Sequence, residues 1–199
     1  MTAAFDLGDR SAVISPCQRY RYRLTRQVGP GSRAAAFIML NPSTADYARD
    51  DPTVRKCVAF ARLWQCGELI VVNLFAYRAT DPKAMLRAED PVGPENMGHV
   101  EWAALQANGS SGGEPRTGAA RDFSRGPGGS SPGEPPGPVV CAWGAHGFHL
   151  DQDMKIMALL RALGVRPMCL GVTDGGHPKH PLYIGRDIEL EPYKGRRWR

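Results

Sequence analysis

Four apolar runs constrain this chain more than any other feature: Ala34 to Leu40, Glu68 to Ala76, Val139 to Trp143 and Pro167 to Val172. Each is rich in β-branched, aromatic or small apolar residues and bounded by turn formers, so each reads as a buried strand. Helices fit between them. Asp51 is placed to cap a helix that starts at Pro52, carries an inward stripe of Val54, Cys57, Ala61 and Trp64, and is closed by Gly67. A second helix is expected from about Pro94 to Gln106. A third is expected from about Asp151 to Leu163, with Met154, Met157, Ala158 and Leu160 as its apolar face and Gly164 after its end. Alternation of strand and helix predicts an α/β fold of three layers, a mainly parallel four-stranded sheet with helices on both faces. Ahead of it, Arg19, Arg21 and Arg23 alternate with Tyr20, Tyr22 and Leu24, which predicts an N-terminal antiparallel edge strand. The plain reading of those arginines is a solvated face; a phosphate-facing role is the alternative.

The length, 199 residues, predicts a single domain spanning 1–199. One stretch interrupts it. Ala107 to Pro138 holds nine glycines, six prolines and five serines with no apolar periodicity, so it is expected to be a disordered insertion. Gly109 to Gly113 and Gly129 to Gly133 match a serine-hydrolase elbow as text, but lack the strand before and the helix after that the elbow needs. Hydrophobic residues at 42% and charged residues at 23% exclude wholesale disorder and fibrous folds. No apolar run is long enough to span a bilayer and the first residues are acidic, so no membrane contact and a cytoplasmic location are expected. A monomer is favoured. Cys17, Cys57, Cys66, Cys141 and Cys169 lack ligand spacing and read as reduced core thiols. The net charge of +5 falls on the folded body, because the charges of the insertion cancel, and it favours an anionic partner.

In open parallel sheets, ligands bind outside the carboxyl ends of the strands. Those ends carry Asn41-Pro42-Ser43-Thr44, then Asn73 with Phe75, Tyr77 and Arg78, then Trp143-Gly144-Ala145-His146, and finally Thr173 to Pro181 with Asp174, His177 and His180. Neither a dinucleotide-binding nor a triphosphate-binding glycine loop occurs at any of them. His177, His180 and Asp174 are the one local set that invites a metal, and the favoured reading is free of metal and cofactor. Amides and imidazoles remain: Asn pairs with the amide edge of a heterocyclic base, and a neutral His donates to an oxygen that gains charge.

These residues carry two resemblances. Through "MLNPSTAD", "DDPTVRKC", "VVNLFAYRATDP", "AWGAHG" and "GHPKHPLY" the chain is similar to the bacterial family called domain of unknown function 1643, over nearly all of its folded part. More remotely, Met39 to Ser43, Val71 to Arg78 and His177 to Leu182 resemble the three motif segments of the uracil-DNA glycosylase superfamily, in the same order. The second resemblance implies a glycosylase-like fold and cleft. Asn41 would position the attacking water and Pro42 would shape its loop. Asn73 would read the edge of an extruded base, and His177 or His180 would stabilise the base oxyanion. Phe75, Tyr77 or Tyr47 would stack on the base. The last motif has one residue more than the superfamily pattern, so either His fits it, and Asn41 is no general base. The expected partner is a nucleic acid or nucleotide. The function expected is a nucleobase-binding protein that hydrolyses or otherwise processes an N-glycosidic bond; the alternatives are a non-catalytic binding module and an enzyme acting on a free nucleoside.

Plainer readings stand beside these. Asn41 and Asn73 can simply end strands. Arg78 can pair with Asp81, capping explains Asp51 and leaves Asp50 solvated, and Trp143 can floor the cleft while His146 opens a helix. The basic tail from Lys194 to Arg199 reads as a solvated end.

Overall fold

The computed structural model describes residues 3–6, 10–43, 50–110, 135–185 and 187–196. Its fold is mixed α/β. The strands are β1 (Ala3–Asp6), β2 (Arg10–Ile14), β3 (Arg21–Gln27), β4 (Ala34–Met39), β5 (Glu68–Asn73), β6 (Val139–Cys141), β7 (Pro167–Cys169) and β8 (Glu191–Pro192). They form one sheet in the order β1-β2-β3-β5-β4-β6-β7-β8. The four runs expected to be parallel are neighbours at its centre: β4 pairs in parallel with β5 and β6, and β6 with β7. Every residue of β4 is buried, as a strand flanked on both sides and covered on both faces requires.

The helices are α1 (Pro52–Leu63), α2 (Pro82–Leu86), α3 (Asn96–Ala107) and α4 (Gln152–Ala162). On one face, Val54, Cys57, Phe60 and Ala61 of α1 pack against Phe37, Met39, Leu69 and Val71. On the other, Val100, Ala103 and Ala104 of α3 and Ile156 and Leu160 of α4 share a core with Ile38, Ile70 and Val72. The alternation of each strand thus divides its side chains between an α1 side and an α3/α4 side. The cap of α1 is as expected: Asp51 accepts from Val54 N at 2.8 Å, with Pro52 in the first turn.

Several expectations need correction. The antiparallel edge is three strands deep, β1-β2-β3, and β8 adds a further antiparallel strand at the other edge. β3 is therefore interior, and of the three arginines expected on a solvated face only Arg19, ahead of the strand, is exposed; Arg21 and Arg23 are buried, as is Arg26. The Arg23 guanidinium lies 3.8 Å from the centroid of the Trp102 ring, a cation–π contact that helps offset its desolvation. Asp50 is not solvated either, because it accepts from Arg26 Nε at 2.7 Å. The apolar face of α4 is Ile156 and Leu160, with Gln152 and Asp153 also buried, while Met154 is exposed. Gln65, at φ 58°, takes the left-handed position after α1; Gly67 is needed instead because a Cβ there would strike the Gly31 carbonyl. Gly164, at φ 67°, does close α4. Both ends of the expected insertion belong to the fold: Ala107 ends α3 and is buried, Gly137 N donates to Ala107 O at 2.8 Å, and Pro138 O accepts from Ala36 N. Residues 111–134, and with them most of the two elbow-like strings, lie outside the described residues. Cys57, Cys66, Cys141 and Cys169 are buried thiols, but Cys17 is exposed. Among the described residues no helix is long and apolar enough to cross a membrane.

Candidate functional site: polar residues on the α1 side of the carboxyl edge

β5 directs Leu69 and Val71 to the α1 side, and the same alternation sends Asn73 there at the carboxyl end of the strand. Asn73 is 1% exposed, and neither its Oδ1 nor its Nδ2 has a hydrogen-bond partner among the described residues. A buried primary amide with donor and acceptor both unmet is costly, and such groups are rare in native proteins. The carbonyl behind it is satisfied, by Asn96 Nδ2 at 2.9 Å.

Around it the α1 side collects charge. Asp51 caps α1 through Oδ1 and accepts from Ser43 Oγ at 3.1 Å through Oδ2. It attracts Arg21 and His180 electrostatically, which places both near the start of α1. Arg21 is 5% exposed. Burial lowers its pKa to about 10, opposed by Asp51 and assisted by Arg78 and Arg26, so it stays cationic at neutral pH. His180 begins the Pro181–Tyr183 turn that packs on α1. Burial lowers its pKa too, despite Asp51, and its Nδ1 accepts from Leu182 N at 3.4 Å. A neutral imidazole that accepts at Nδ1 carries its proton at Nε2, so His180 is a neutral donor.

Asn41 stands at the end of β4 in a structural clip. Its Nδ2 donates to Ala79 O at 2.8 Å, while Ala79 N donates to Pro42 O at 3.0 Å. The clip ties the loop after β4 to the loop after β5. The Asn41 Oδ1 accepts no hydrogen bond among the described residues. Arg78 donates to Gln18 O, and Asp81, its expected partner, instead caps α2 by accepting from Lys83 N.

The remaining expected residues lie elsewhere. Trp143 is buried on the α3/α4 side, edge to face with Tyr193 at 5.5 Å. Phe75 is on that side as well, against His149. His177 lies there too, 6.4 Å from the Phe148 ring and under the field of Asp153. His146 is exposed. Tyr77 helps line a separate cavity of about 550 Å³ with Tyr20, Tyr22, Arg19 and Cys17, where hydrogen bonds from Ser15 and Arg19 pull the thiol pKa down to about 7. Thr44 and Tyr47 fall outside the described residues. Of the sequence candidates, then, Ser43 and His180 lie by Asp51 at the start of α1, Asn73 ends β5 on the same side of the sheet, and Asn41 and Pro42 form the clip beside them. Asp51 and Arg21 join them: capping is the plain reading of the first, and a phosphate-facing role is the alternative to a solvated face for the second. Among the described residues, no three His, Cys, Asp or Glu side chains group as a metal site would need.

Residues 21–182 match a family model described as "Protein of unknown function (DUF1643)". No curated protein and no solved structure matches the chain.

Proposed function

The chain belongs to the DUF1643 family, and on that premise we propose that its α1-side cleft holds a nucleobase and processes the N-glycosidic bond of a nucleic acid or nucleotide. Asn73 carries the reading. Its donor and acceptor sit side by side, 1% exposed and unpartnered, as the complement of a base amide edge would. A bound base would satisfy both and relieve a penalty of roughly 1–3 kcal/mol per group. His180 Nε2–H is the donor for the carbonyl oxygen that gains charge when the base departs with the bond's electron pair, and the open Oδ1 of Asn41 orients the water that adds to the sugar carbon. The resemblance of the same segments to the uracil-DNA glycosylase superfamily supports these roles, and it is the support for a glycosylase-like fold.

A second reading, a binding module without chemistry, is favoured by one observation: Asn41 is not a carboxylate, and its amide nitrogen holds Ala79 in place.

Release of free base from uracil- or damage-containing oligonucleotides and from nucleotides tests both. Asn73→Ala is expected to weaken ligand binding tenfold or more, and His180→Ala to slow release by about 10²–10³ with binding retained. Binding that depends on Asn73 without base release from any substrate selects the binding module. No product, together with variants that bind like the wild type, removes the nucleobase reading altogether.

A further inference from the structure

Two buried arginines on β3 have opposite surroundings. Arg26 is 3% exposed and donates from Nε to Asp50 at 2.7 Å. Arg21 is 5% exposed, and among the described residues its Nε has no acceptor and none of the ion pairs includes it. The nearest attraction comes from Asp51, whose two oxygens already accept from Val54 N and Ser43 Oγ. Arg78 and Arg26 repel it. A guanidinium buried without a counterion is strongly disfavoured, so a site that keeps one is short of an anion.

Placement says which anion. Arg21 N donates to Ala76 O, just past the end of β5, so Arg21 stands beside the strand that ends in Asn73. Asp51, the cap of α1, is the acid that attracts its guanidinium, which points to the α1 side, the side that Asn73 faces. We infer that Arg21 seats a phosphate of the ligand, so that the cleft takes a base still joined to its sugar phosphate and discriminates against a free nucleoside. The planar fork of an arginine binds two phosphate oxygens at once, and a bare base or nucleoside carries no anion to place there. This inference rests on the nucleobase reading for the other end of the ligand.

Calorimetric titration of the full chain with nucleobases, nucleosides, their 5′- and 3′-monophosphates, short single-stranded oligonucleotides and inorganic phosphate tests it. A monophosphate or an oligonucleotide is expected to bind about tenfold or more tightly than its nucleoside. Arg21→Gln erases that difference while nucleoside affinity stays, and Arg21→Lys, which keeps the charge and loses the fork, retains part of it. Preference for the monophosphate over the oligonucleotide identifies a nucleotide as the source of the phosphate; the reverse identifies a nucleic acid. Nucleosides that bind the wild type as tightly as their monophosphates overturn the phosphate seat and leave the base reading standing, a comparison that needs no variant to fold. Inorganic phosphate that binds the wild type but not Arg21→Gln, with no affinity for any nucleoside, upholds the seat and removes the base reading. Absence of phosphate binding in every form overturns the seat.

Discussion

On the α1 side of the sheet's carboxyl edge, the Arg21 guanidinium is buried with no ion pair among the described residues, whereas on the α3/α4 side the Arg196 guanidinium is held by two carboxylates, although Trp143, Gln152 and His177 there each leave a buried polar atom unmet, as Asn73 does on the α1 side. There Arg196 Nε lies 3.2 Å from Asp153 and its Nη2 donates to Asp151, while the Tyr193 hydroxyl donates to Gly176 O. Both sides are made of similar residue types at the ends of the same strands. The difference between them is one of charge: one guanidinium is neutralised within the chain and the other is not.

The largest expected effect contrasts the two arginines of β3. Asp50→Ala strands Arg26 and is expected to cost about 3–5 kcal/mol in chemical denaturation, whereas Arg21→Met changes stability by no more than about 1 kcal/mol or raises it. Equal losses would break the comparison. Next comes pH. His99, on α3, is 1% exposed, stacked on Tyr22 at 5.1 Å, and has no hydrogen-bond partner at either nitrogen among the described residues; burial, helped by Arg23, lowers its pKa to about 3. A folded pKa below the unfolded value means that its contribution is complete above about pH 6.5 and is lost progressively as the pH falls toward 3. Between pH 7 and 4.5, His99→Phe should therefore lose about 2 to 3 kcal/mol less stability than the wild type, read from urea midpoints at the two pH values. A smaller gain is expected from Asn73→Leu, which removes two unmet polar atoms and should stabilise the protein by about 1–2 kcal/mol as it abolishes ligand binding. A loss of stability instead would mark Asn73 as part of the framework. The smallest effect distinguishes the two histidines of the last motif: His177→Ala should shift stability by no more than about 0.5 kcal/mol and leave base release intact, whereas His180→Ala slows it.

Much of the fold could be read from local patterns. The four apolar runs became the parallel strands because burial on both faces leaves a continuous hydrophobic signature, and α1 was announced by Asp51 and Pro52 because capping chemistry is local. What a one-dimensional pattern cannot carry is which face a side chain meets. Arg21 to Leu24 alternate like a half-exposed edge, and that reading failed because β2 and β1, short and weakly patterned, lie outside β3 and bury it. A shift of register between Val13 and Ile14 then upsets the simple alternation. The rim residues show the same limit. Asn73 and Trp143 both stand at strand ends, yet the pleat sends one to α1 and the other to the opposite core. His177 and His180 are three residues apart and fall on opposite sides because the chain between them pairs with the loop of β7, Val172 with Pro178.

The hydrogen bond between Gly137 and Ala107 has an evolutionary and practical consequence. It brings together the two points where residues 111–134 leave and rejoin the described chain, beside the start of β4 and therefore at the rim opposite the cleft. Lengthening, shortening or replacing that stretch is expected to leave its anchors paired as they are, so a tag or reporter spliced in there is expected to leave the carboxyl edge of the sheet undisturbed.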